Sequence, residues 1–116
     1  MLAYMLLIVE AQGERRLRAA EEGRALYGKM LDYTASLKRR GLLLASESLR
    51  SSAARLSIRA GRQSIVDGPF TEAKELVGGF FLLGCATREQ ALGLAAECPA
   101  AEWATVEVRE IGPCYE

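Results

Sequence analysis

The segment Val77 to Cys85 reads VGGFFLLGC, and its reading decides the fold. It carries no charge, it is too short for a core helix, and its length suits a strand buried on both faces. A second run of the same kind, LAYMLLIV, covers Leu2 to Val9 and is bounded by Glu10, Gln12 and Gly13. Neither run approaches the roughly 20 residues that cross a bilayer. LAYMLLIV also lacks the basic start and small-residue cleavage site of a signal peptide. The sequence therefore points to a cytoplasmic protein with no membrane partner.

Between the two runs the pattern changes period. Leu26, Met30, Tyr33 and Leu37 recur at helical spacing, with Lys29, Asp32, Lys38 and Arg39 mostly elsewhere. Arg39 and Arg40 suit the negative end of a helix dipole, and Gly41 suits the position just past it, so a helix is expected over 23–40. Residues 14–21 are expected as a separate helical turn, with Gly23 as the weak point. Residues 42–49 (LLLASESL) read as a strand, and Arg50 to Ala54 as a polar loop. Leu56 and Ile58 alternate with Ser57 and Arg59, the chain turns at Ala60-Gly61-Arg62, and Ser64 to Val66 returns as a hairpin. Asp67-Gly68-Pro69-Phe70 breaks that pattern, and Thr71 to Leu76 is expected as a short helical turn.

Beyond the apolar run, Thr87-Arg88-Glu89-Gln90 has the form of a capping box. Ala91, Leu94, Ala95 and Cys98 then line one helix face, and Pro99 ends it. Val106 and Val108, alternating with Thr105, Glu107 and Arg109, form a closing strand.

The order is β-α-β, hairpin, β-α-β. With short loops this implies an α+β, ferredoxin-like antiparallel sheet with both helices on one face. At 116 residues the chain is one domain, 1–116. Two helices cover one face of that sheet, yet both long strands are apolar on both. The simplest cover for the second face is a second copy, so a two-fold homodimer is expected. Ser57, Arg59, Glu107 and Arg109 either face a polar cavity between the two sheets or point to solvent at sheet edges.

The chain has no histidine, which removes imidazole-based catalysis and most zinc sites. Cys85, Cys98 and Cys114 form no CxxC pair, and an odd count argues against a disulfide framework. Cys85 and Cys98 are expected as small core residues. No metal and no cofactor is implied. Residues 1–62 hold twelve Lys and Arg against six Asp and Glu, and 63–116 hold three against nine. The basic run Lys38-Arg39-Arg40 has no interleaved aromatic to stack bases, so nucleic acid is not the expected partner. Gly78-Gly79 lacks the spacing of a phosphate loop and is expected to permit close backbone approach.

Asp67 admits two roles. Its carboxylate can accept from backbone N–H groups of the Gly68-Pro69 turn, or it can sit at a cleft mouth as acceptor or general base.

Five segments carry a family resemblance: Tyr4-Met5-Leu6-Leu7-Ile8, Asp67-Gly68-Pro69-Phe70-Thr71-Glu72-Ala73-Lys74-Glu75, Gly78-Gly79-Phe80-Phe81-Leu82, Cys98-Pro99-Ala100-Ala101 and Val106-Glu107-Val108-Arg109. In this order they resemble the DGPF-domain branch of the YCII-related proteins, over nearly the whole chain. The resemblance implies a bacterial family with a dimeric α/β-barrel fold built from ferredoxin-like subunits. Most members have no assigned reaction, and genes of this branch often lie beside those for extracytoplasmic-function sigma factors. The wider group is thought to use a His–Asp pair, which cannot be carried over to a chain without histidine. Asp67 is what remains as a catalytic candidate. Glu72, Lys74, Glu107 and Arg109 are motif residues that could touch a ligand, and Arg59 joins them as a cationic partner. The expected function is a small-molecule-binding or regulatory dimer with its ligand between sheet and helices. The alternatives are an enzyme acting on a small acid or ketone with Asp67 as acid/base, and a partner of a sigma factor.

Overall fold

The computed structural model describes residues 2–116. Its centre is β1 (Leu2–Ala11), flanked by β5 (Glu75–Cys85) and β6 (Thr105–Glu110), with β2 (Leu43–Ser48) beyond β5. The order is β2-β5-β1-β6 and every pairing is antiparallel. The helices are α1 (Glu14–Leu17), α2 (Ala20–Arg39) and α3 (Arg88–Glu97), the last followed by a 3₁₀ turn at Pro99–Glu102. This is an α+β arrangement consistent with a ferredoxin-like fold.

Both main helices lie on one face. Tyr4, Leu6 and Ile8 of β1 and Phe81, Leu83 and Cys85 of β5 are buried in the same core as Tyr33 and Leu37 of α2 and Ala91 and Leu94 of α3. Alternation along a strand sends these strand residues to one side only. Tyr33 joins the layers: its ring meets Phe81 edge-on at 5.2 Å, and its hydroxyl donates to the Leu94 carbonyl at 2.6 Å. Such an aromatic pair adds about 1 kcal/mol to its area burial. Cys85 and Cys98 are core residues, as the sequence suggested.

The opposite face carries Met5, Leu7 and Val9 beside Phe80 and Leu82, all half-buried, with no layer over them. Glu107 pairs with Leu7 and Arg109 with Met5, so both charges stand on this open face at edge strand β6. β3 (Ala54–Arg59) and β4 (Arg62–Asp67) form their own two-stranded sheet, joined through Ala60 (φ 52°) and Gly61 (φ 75°). Two consecutive left-handed residues are the signature of a type I′ turn, whose twist matches the strands.

Three local expectations are corrected. Thr71 to Leu76 forms no helical turn: a turn covers 71–72, and β5 already begins at Glu75, anchored by Gln12 N–H donating to the Lys74 carbonyl at 2.9 Å. Gly23 does not break the helical region. The break falls at Arg18-Ala19, both extended, and Gly23 lies inside α2. The capping box is only half reciprocal: Thr87 Oγ1 accepts from Gln90 N–H at 3.1 Å, but Gln90 Oε1 accepts from Ala86 rather than Thr87.

Candidate functional site

β1 does not end at Val9. It runs on to Ala11, and alternation turns Glu10 to the helix side, where it is 6% exposed. A buried carboxylate needs a counter-charge. Arg15 supplies it from α1, folding back across five residues so that its Nε lies against Glu10 Oε1. The same guanidinium donates to Glu10 Oε2 at 3.3 Å, to the Gly78 carbonyl at 3.2 Å and to the Leu49 carbonyl at 2.7 Å. One side chain thereby ties α1, the end of β2 and the start of β5 to β1.

Gly78 is what makes room. Ile8 pairs with Gly79 and Val9 with Val77, so Gly78 is an extra residue, a bulge. A Cβ there would collide with Glu10 Oε2 and would stand 2.6 Å from Arg15 Nη2. At Gly79 a Cβ would stand 2.9 Å from the Glu47 carbonyl, so the expected close backbone approach is present.

This cluster closes the polar end of a cleft of about 560 Å³ between the sheet and the N-terminal half of α2. Leu26, Tyr27, Met30 and Leu31 form the α2 wall, Ile8 and Phe81 the floor, and Trp103 the far side. A second cavity, about 670 Å³, opens on the uncovered sheet face near the base of the hairpin. Leu7 and Val9 floor it, and Arg50, Arg55, Arg109, Glu75 and Glu107 supply its charges.

The sequence-derived candidates are scattered. Glu107 and Arg109 come together in the second cavity. Asp67 ends β4 opposite Ala54, is exposed, and lines neither cavity. Its turn is held by the backbone, with Gly68 N–H donating to the Ala53 carbonyl at 2.6 Å. Arg59 pairs with Arg62 at the hairpin tip and donates to its neighbour's carbonyl. Five residues of strand, roughly 17 Å, separate it from the level of Asp67, so the two do not meet within one chain. Glu72 is exposed in the 71–72 turn.

The buried member of that motif is Phe70: Arg55 stacks on its ring at 3.8 Å, and Gln12 Nε2 donates to its carbonyl at 2.8 Å. Glu10 and Arg15 were missed by sequence reasoning. Their signal is faint, a lone carboxylate at strand parity followed five residues later by arginine.

Burial raises the thiol pKa of Cys85 and of Cys98, in Cys98 against two opposing backbone hydrogen bonds, so both stay protonated near neutrality and are poor nucleophiles. Among the described residues no three His, Cys, Asp or Glu side chains gather as a metal-binding group, and no helix is long and apolar enough to cross a membrane.

A sequence profile of the YCII-related domain matches residues 2–114. An uncharacterized protein of Rhizobium meliloti (strain 1021) is 40% identical over 63 residues, 53% of this chain and 51% of the relative. The aligned part thus spans about half of that curated relative.

Proposed function

We propose, from the premise that this chain belongs to the YCII-related family, that it binds a small molecule in the cleft between sheet and α2 and works as a homodimer. The observation that carries this reading is the cleft itself. Its volume of about 560 Å³ falls in the range of roughly 300–1,000 Å³ typical of ligand pockets. Its wall is mostly apolar, with one buried carboxylate at the end, the usual division between affinity and orientation. Binding is favoured over catalysis because the chain has no imidazole and its two core thiols are held protonated.

A second copy is the proposed cover for the open face. Met5, Leu7, Phe80 and Leu82 supply an apolar centre, and Glu107 and Arg109, of opposite sign on one edge strand, can pair across a two-fold axis. Such a copy would also roof the second cavity, leaving Glu107 and Arg109 as polar groups in its wall.

Gly23 gives the test. It lines the cleft, and nothing stands within 4 Å of the Cβ it lacks. Gly23→Phe should therefore fold normally and fill the space. In a thermal-shift screen of metabolites, wild-type protein is expected to be stabilised by at least one compound and Gly23→Phe by none of those hits. A hit that stabilises both equally would reject the cleft as the site.

A further inference from the structure

We infer that the second cavity, on the open sheet face, binds a small organic monocarboxylate with its charged end held by Arg50 and Arg55. The inference goes beyond the cleft reading and does not depend on it, because the two cavities share no lining residue.

Three guanidinium groups line this cavity, those of Arg50, Arg55 and Arg109, against two carboxylates, Glu75 and Glu107. All five residues are exposed. Among the described residues the ion pairs belong to Arg15, Arg18 and Arg40, so these five charges are open. A concave site with an excess of one open cation favours an anion. One negative charge balances that excess. A phosphate monoester, at about −1.5 to −2 near neutrality, would overshoot it. Pairing of Glu107 with Arg109 across the proposed two-fold axis would remove one charge of each sign. The same excess would remain in Arg50, Arg55 and Glu75.

One short stretch, Arg50-Ser51-Ser52-Ala53-Ala54-Arg55, builds the cationic end. Arg55 is already oriented there. Its guanidinium stacks on the Phe70 ring at 3.8 Å, and Phe70 is itself buried, with Gln12 Nε2 donating to its carbonyl. Stacking occupies the flat face of a guanidinium and leaves the N–H groups in its plane free to meet both oxygens of a carboxylate. A donor fixed in advance loses less freedom on binding. Ser51 and Ser52 add two hydroxyls to the lining. Among the described residues the hydroxyl hydrogen bonds are those of Tyr33, Thr34 and Thr87, so both serines are available to a ligand. Away from this end the wall turns apolar, with Leu7, Val9, Leu76 and Val77. A carboxylate on a hydrocarbon or aryl body meets both parts, whereas an inorganic anion meets only the first.

The probes are 2-naphthoate, its uncharged isostere 2-naphthamide and 2-naphthyl phosphate, measured by equilibrium dialysis against wild-type protein at low salt. Naphthoate should bind about tenfold or more tighter than the amide, as expected for charge-assisted hydrogen bonds, and tighter than the phosphate. Equal affinities of acid and amide, or no binding of naphthoate, overturn the inference. Tighter binding of the phosphate overturns the choice of a monoanion.

Arg50→Gln, in an exposed loop, should weaken naphthoate about tenfold and leave the amide unchanged. Arg55→Gln should do the same, and Glu75→Gln should tighten naphthoate several-fold. An acid preference that survives both arginine variants would place the acid elsewhere and overturn the site. Gly23→Phe, which fills the other cleft, should leave naphthoate binding as it is; loss of binding there would put the acid in that cleft and overturn the inference. If Arg55→Gln loosens Phe70 and does not fold, Arg50→Gln and Gly23→Phe decide the question.

Discussion

Glu10 is the only charged residue among those buried in the described structure, and the residues around it are chosen to tolerate it. Gly78 is the clearest case. Adding one methyl group there drives an atom into Glu10 Oε2 and crowds Arg15 Nη2, and both side chains are fixed by other contacts. Gly78→Ala is therefore expected to cost about 1–3 kcal/mol, the usual range for overpacking. Urea unfolding would measure it, and a variant as stable as wild type would show that the bulge is not closed by this ion pair. Tyr33 and Cys98 give a second expectation. Burial raises the Tyr33 hydroxyl above its ordinary value of 10.0 and the Cys98 thiol above 9.0. As pH rises, the unfolded chain loses these protons first. The folded state then binds more protons, and stability falls with pH. Their contribution is complete below about pH 9 and is lost as pH climbs through the raised values. The urea midpoint should be level at neutral pH and decline above about pH 9; a midpoint that rises there would contradict the assignment.

The β3–β4 hairpin pairs only within itself, yet Leu56, Ile58, Ile65 and Val66 are all exposed on it. Its turn places Ala60 at φ 52°, where a side chain is tolerated best when it is asparagine. Ala60→Asn is expected to stabilise the hairpin by a few tenths to about 1 kcal/mol. Slower amide exchange confined to residues 54–67 would show it, with global unfolding little changed; no local slowing would argue against the type I′ geometry. This hairpin was legible in the sequence because alternation and turn chemistry agree. So were the two long strands and α2, whose periods are unbroken. Other features were not. The 71–76 segment carries helix-forming Glu, Ala and Lys, but its backbone is captured by Gln12 at the end of β1, a partner roughly sixty residues away. The same distance hides the cleft: Arg15 reaches Gly78 across 63 positions, and no local pattern announces that contact. Asp67 stood out because its motif is specific, and what the sequence did not show is how its neighbours pack. Phe70 is buried under Arg55, and a Cβ on Gly68 would stand 3.0 Å from that ring.

At the scale of the whole molecule the protein is a slab, 46 × 41 × 18 Å, with a radius of gyration of 16.1 Å. A compact chain of this length would have a radius near 13 Å. The thickness accommodates one sheet and one helix layer, which stack about 10 Å apart, and leaves the second sheet face bare. Leu82, pointing to that face, and Leu83, fully buried on the other, separate the dimer from the fold. Light scattering after size exclusion is expected to give a dimer mass for wild type. Leu82→Asp should give a monomer of unchanged circular dichroism, or aggregate, since pairing would bury an unmatched charge. A wild-type monomer mass would sink the dimer. The central position of β1 has a further consequence, in the timing of synthesis. β1 leaves the ribosome before any strand it pairs with, because its neighbours are residues 75–85 and 105–110. At about 5–20 residues per second, several seconds pass in which LAYMLLIV has no sheet to join. Through those seconds the apolar side chains of β1 have no strand partner to bury them. That delay makes the arrival of β5, rather than the formation of either helix, the event that commits the chain to its fold.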